Sequence, residues 1–144
     1  MQDISKTLWW RGLVFAAGFT VMFGLAMVFL PDLTQWYFNS IIFGTADNPF
    51  DVDAKRYIVF AFGVLGAVMI GWAVSLLILI FIPLRRGEIW AWWTIAASIM
   101  IWFVIDSAFS VISDYSGNAV SNGAFLLIFA LPMYPAYRHL TRKA

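Results

Sequence analysis

The sequence predicts an all-α membrane protein, an antiparallel bundle of four transmembrane helices with an interfacial segment in its first extracytoplasmic loop. Three observations carry this. The chain is 62% hydrophobic and 12% charged, against roughly 25% charged residues in a soluble domain. Its apolar residues fall in four runs, about 13–30, 57–82, 89–112 and 119–137, each close to or above the ~20 residues that cross the hydrocarbon core. Aromatic residues make up 19% of the chain and include eight Trp, and such rings concentrate at water–lipid boundaries. The whole chain, 1–144, reads as one four-helix transmembrane domain.

The first run, Leu13 to Leu30, follows a short polar stretch holding Lys6 and Arg11 and stops at Pro31. Its length exceeds a typical signal-peptide core and no small-x-small cleavage site follows, so it reads as a first span. Within it Gly12, Ala16, Thr20 and Gly24 recur at every fourth position, a small-residue seam suited to helix packing. The connection that follows begins with Leu33, Trp36, Tyr37, Ile41 and Ile42 at roughly helical spacing, the pattern of a segment lying in the interface. Its second half, Thr45 to Arg56, gathers Asp47, Asn48, Asp51 and Asp53 around Pro49. Several oxygens could hold a hard cation, but the EF-hand order and its Gly are absent. Asp51 or Asp53 serves equally as a helix N-cap, and no metal site is expected.

Tyr57 to Ile82 is a run of 26 residues, long enough to tilt or project beyond the hydrocarbon. Gly63, Ala67, Gly71 and Ser75 again fall every fourth residue, so the first and second spans are expected to pack seam to seam. Pro83 to Glu88 forms a basic turn, and Ile89 to Ile112 opens with Trp90, Trp92 and Trp93, a boundary marker beside two arginines. The fourth span, Ala119 to Tyr137, carries Asn118 and Asn122 near its start. Pro132 and Pro135 are expected to bend or end it before the basic tail of Arg138, His139, Arg142 and Lys143.

Lys and Arg number seven on the termini and the 83–88 turn, against two in the long loop. The positive-inside rule then puts both termini in the cytoplasm. The net charge of +1 excludes an electrostatic nucleic-acid binder, which needs a basic patch. The absence of cysteine removes thiol redox chemistry and Cys-type metal sites. A single histidine, His139, cannot supply paired axial haem ligands. No cofactor is expected.

Asp106 is the one carboxylate inside a span, and leaving it unpaired in lipid costs about 2.5–3.5 kcal/mol. It shares a stripe with Thr94, Ser98, Trp102 and Ser110, spaced to face protein or water. Topology brings Asp106, Ser110, Asn122, Tyr57 and Arg56 toward one layer in the outer half of the membrane. Two outcomes are open. Arg56, Lys55, Asn122 or Ser110 pairs with Asp106 as an interhelical latch, or Asp106 lines a pocket that binds a proton, a cation or an amine-bearing ligand.

The segments Gly63-Val-Leu-Gly66-Ala-Val-Met-Ile-Gly71-Trp72, Arg85-Arg86-Gly87-Glu88, Ala91-Trp92-Trp93, Trp102-Phe103 and Asp106-Ser107 resemble a family of uncharacterised small bacterial four-helix membrane proteins. The resemblance covers about a third of the chain and implies a bacterial inner membrane, without an activity. Four-span multidrug exporters carry an embedded acid in the first span, and Leu13 to Leu30 has none. The expected function is therefore a non-enzymatic, multi-pass structural or partner-binding subunit. Its partners are the lipid bilayer and either another membrane protein or a second copy. The alternative is a small-molecule, cation or proton binding or transport component built around Asp106. An enzyme is not expected, because a lone embedded acid lacks the base, nucleophile or metal that would complete a reaction.

Overall fold

The computed structural model describes residues 7–42, 44 and 50–142. Every regular element among them is helical: α1 (Leu8–Phe29), α2 (Pro31–Ile42), α3 (Val52–Leu79), α4 (Ile89–Ile112) and α5 (Ser116–Thr141). With the extension of α3 through Leu84, the four long helices are long and apolar enough to cross a membrane. Phe15, Phe60, Val68, Ile101, Phe109 and Leu131 project outward. A surface of such residues is insoluble in water and matched to lipid. Lys6, Asp47, Asn48, Pro49 and Lys143 lie outside the described residues.

α1 sits centrally, flanked by α3 on one side and α5 on the other, with α4 packed on α5. Each of these long-helix neighbours is antiparallel, as the alternating direction of successive spans requires. α3 and α4 barely touch beyond their shared turn. The buried core runs along this arrangement, through Leu13, Ala17, Leu76, Ile80, Ile95 and Phe129.

Lipid gives helices no hydrophobic reason to associate, so close backbone approach must supply the contact energy. The α1 seam does this in both directions. Ala16 and Thr20 are fully buried, and Thr20 returns its hydroxyl to the Ala16 carbonyl at 2.9 Å. Gly12 lies against Pro132 of α5, where an added Cβ would come within 2.8 Å of the ring. Gly24 lies against α3, where the same atom would meet the Gly66 carbonyl at 2.8 Å.

The matching contact on α3 is made by Gly66, not by the expected seam. Gly63 and Gly71 have nothing within 4 Å of an added Cβ, and Ala67, Gly71 and Ser75 are exposed. The reason is geometric: an every-fourth-residue stripe rotates about 40° around a helix at each step. The face that stays against α1 is instead Gly66, Ala73, Leu76 and Ile80, all buried. A near-seven-residue spacing holds its angular position where a spacing of four drifts.

Both helix ends that contain proline extend further than the sequence suggests. α3 continues into a π-helical turn at Ile80–Leu84, with Pro83 inside it. The wider turn accommodates a residue that lacks an N–H. Gly87 then adopts φ 86°, a left-handed conformation that glycine reaches without steric cost, and α4 begins. α5 runs through Pro132 and Pro135 to Thr141. α1 starts at Leu8, five residues before the expected span. Its Trp9 packs on His139 with ring centroids 5.6 Å apart, and Trp10 meets Phe81 edge-on at 5.1 Å.

Candidate functional site

The α4–α5 hairpin is closed by a turn at 113–115 in which Asp114 takes φ 64°, a conformation that Asp tolerates better than most residues. This tight reversal sets Asn118, in the first turn of α5, opposite the last turns of α4. Asn118 donates from Nδ2 to Asp106 Oδ1 at 2.9 Å and to Ser110 Oγ at 2.8 Å. Ser110 donates to the Asp106 backbone carbonyl at 2.7 Å, with Asp106 Oδ1 a further 3.2 Å contact. One turn along, Asn122 Nδ2 reaches Ser107 Oγ at 3.4 Å. The polar groups thus form a two-rung ladder between α4 and α5. Asp106 Oδ2 accepts no hydrogen bond from any described residue.

The cationic partners considered from the sequence are not there. Arg56 is exposed and lies 3.8 Å from Asp53, while Lys55 pairs with Asp32 at 3.1 Å. Asp51 caps α3, accepting from the Ala54 N–H at 2.8 Å. Of the five residues drawn together from sequence, Asp106, Ser110, Asn122 and Tyr57 share one cavity and Arg56 does not line it. Asn118, rather than Asn122, makes the direct bond to Asp106.

That cavity has a volume of about 850 Å³. It exists because α3 and α4 diverge from their shared turn and nothing fills the gap. Among its exposed lining residues, Ala61, Leu65 and Val68 on α3 stand across from Ile101 and Phe109 on α4, so the cavity has a lateral mouth between the two helices. Its inner wall is a run of rings. Phe125 packs on Phe19 at 5.8 Å, on Phe23 at 6.5 Å and on Trp102 at 5.4 Å.

α2 closes the end near Asp106. Thr34, Gln35 and Asn39 are its buried residues, while Leu33 and Trp36 face outward. This helix is amphipathic with its polar side toward the bundle, the arrangement expected where the outer surroundings are apolar. Thr34 bonds the Ala26 carbonyl at 3.2 Å, and Phe38 stacks on Phe62 of α3 at 5.1 Å. Gly117 lets the end of α2 rest on α5, since a Cβ there would strike the Ile41 carbonyl.

At the other end, Trp72 of α3 donates to Ser98 of α4 at 2.6 Å and packs on Trp102 at 6.0 Å. This contact is the floor. Trp72→Phe should cost about 0.6 kcal/mol, the mean for membrane interhelical hydrogen bonds, and at most about 1.7. Unfolding by detergent titration would read it, and an unchanged midpoint would mean the ring contact alone holds the floor.

No known protein family, curated protein or solved structure matches this chain. Among described residues the cavity is lined by one carboxylate, Asp106, with amides and hydroxyls beside it and aromatic and aliphatic walls beyond. No described Lys, Arg or His lines it. The ring wall and the polar face of α2 were not singled out from the sequence. The signals were present in the i, i+4 spacing of Phe15, Phe19 and Phe23 and in Thr34, Gln35 and Asn39 on one side of an otherwise apolar segment.

Proposed function

We propose that this protein is a non-enzymatic, multi-pass membrane protein that binds a small hydrophobic molecule taken from the bilayer. The observation that carries the reading is the cavity, lined by exposed residues of both α3 and α4 and holding Asp106 among a few polar groups. About 850 Å³ falls within the ~300–1,000 Å³ of sites that hold drug-sized ligands, and apolar lining with a few convergent polar groups is their usual composition. A lateral mouth suits a ligand that already partitions into lipid. Binding, rather than chemistry, is supported by a lining in which the described residues supply one carboxylate and no histidine or lysine beside it.

We place both termini in the cytoplasm, because Arg11, Arg85, Arg86, Arg138 and Arg142 all belong to one end of the bundle. The bacterial inner membrane is proposed on the sequence resemblance alone.

The test is a neutral bromoalkyl probe, 11-bromoundecanol, titrated into the protein in lipid nanodiscs with tryptophan quenching as the readout. Wild type should show a saturable component above the linear background of partitioning, because Trp72 and Trp102 line the cavity. Ala61→Trp, at the rim, should abolish that component without shifting thermal stability. Linear quenching in wild type, or equal saturation in the rim variant, would overturn the reading.

A second reading rests on the outer face of α3. Gly63, Ala67, Gly71 and Ser75 form the small-residue stripe left unused inside the bundle, and such stripes permit close helix approach. They support contact with another membrane protein or a second copy. Ala67→Leu should then lower the dimer fraction in nanodiscs loaded at two chains per disc, whereas an all-monomer wild type would sink this reading.

A further inference from the structure

We infer that the occupant of the cavity is a singly charged, single-chain cationic amphiphile, its amine or quaternary ammonium head at Asp106 and its chain directed along the rings toward Trp72. This deepens the binding reading above and rests on it.

The first argument is charge. Asp106 is the sole acidic or basic side chain among the described lining residues, and one of its carboxylate oxygens accepts no hydrogen bond from a described residue. In surroundings of low dielectric an uncompensated charge is costly and a counter-charge is worth more than in water. A monocation balances the site. A zwitterionic phospholipid head would bring a phosphate that finds no Lys or Arg among the described lining residues, and an anionic head would add to the charge already there.

The second argument is the shape of the polarity. Ser110 and Asn118 bond Asp106, Asn122 lies one turn along, and Asn39 of α2 joins them in the lining. From Asp106 to Ser98 is eight residues of α4, about 12 Å at the helical rise, and the walls over that depth are Phe19, Leu65, Met69, Trp102 and Phe125. A single alkyl chain of about that length reaches from Asp106 to Ser98. Phe109 and Trp102, one turn to either side of Asp106, also line the cavity, and aromatic faces attract ammonium groups.

The experiment keeps the chain constant and changes the head. Saturable tryptophan quenching in nanodiscs is compared for (11-bromoundecyl)trimethylammonium, 11-bromoundecanol and 11-bromoundecanoate, in wild type and in Asp106→Asn. Wild type should bind the cation about tenfold more tightly than the alcohol, the size of one charge-assisted contact, and the carboxylate more weakly than either. Asp106→Asn should bring the cation to within about threefold of the alcohol and leave the alcohol unchanged. Saturable binding without head-group preference, or with the anion preferred, would overturn this inference while leaving the cavity reading intact. A cation preference that survives in Asp106→Asn would overturn it too. Absence of saturable binding for all three heads would remove both readings. Should Asp106→Asn fail to fold, the wild-type ranking of the three heads decides.

Discussion

Gly66→Val is expected to destabilise the bundle by about 3 kcal/mol or more, at the upper end of what overpacking a core costs. A Cβ at this position would come within 2.6 Å of the Gly24 carbonyl and 2.9 Å of the Met27 Cβ. Both obstacles are parts of α1 that cannot rotate aside, so relief requires the two helices to separate. Separation would forfeit the Cα–H contacts and dispersion along the most extensive interface in the molecule. The control is on the same helix. Gly71→Val has open space around it and should change stability by less than about 1 kcal/mol, because the propensity gain over glycine is the only local term. Both are read from reversible unfolding in mixed micelles. Equal effects of the two substitutions would show that α1 and α3 do not meet at Gly66.

Asn118→Leu should cost about 2 kcal/mol, within the ~1.5–3 typical of hydrogen bonds to charged groups. The side chain bridges Asp106 and Ser110 at once, and leucine would leave the carboxylate with Ser110 as its sole side-chain donor. The half-buried position of Asp106 keeps the expected loss below the upper limit, since the open cavity allows partial solvation. Asp106→Asn keeps an acceptor oxygen for Asn118 and should cost less than about 1 kcal/mol. A double-mutant cycle across the pair isolates their coupling, expected at about 1 kcal/mol or more. A coupling near zero would mean that the ladder does not fasten α4 to α5.

The two substitutions separate the roles of one residue. Asp106 Oδ1 fastens a hairpin, and its other oxygen faces no described donor. A latch and a binding group were alternatives at the level of sequence, yet a carboxylate has two oxygens and the fold uses one. Conservative amide replacement should therefore spare stability and change head-group preference, which is why the binding experiment is read in that variant.

Much of the architecture was legible in the residues themselves. Four apolar runs, the amphipathic stretch after Pro31 and the basic turn at 85–86 declare which segments belong in lipid, at its boundary and in water. Those are local decisions, settled by transfer energies of tens of consecutive atoms, and they survive almost any tertiary arrangement. Helix ends were less legible. Trp9 and Trp10 precede the expected first span but belong to the first turn of α1, and Pro135 reads as a bend or stop but lies inside α5. Packing against neighbours overrides propensity at such positions.

Only the tertiary structure decided which faces meet. The α3 stripe that looks best suited to packing points away from α1, and Gly66 makes the approach instead. Arg56, near Asp106 in topology, turns out to solvent, while Asn118 in the next hairpin reaches it. The cavity is a consequence of two helices diverging beyond the Trp72–Ser98 contact, which no single segment encodes. The physical reason is common to all three. In lipid every apolar face is equally satisfied, so helix pairing is chosen by shape and by a few hydrogen bonds, and shape belongs to pairs of helices rather than to either sequence.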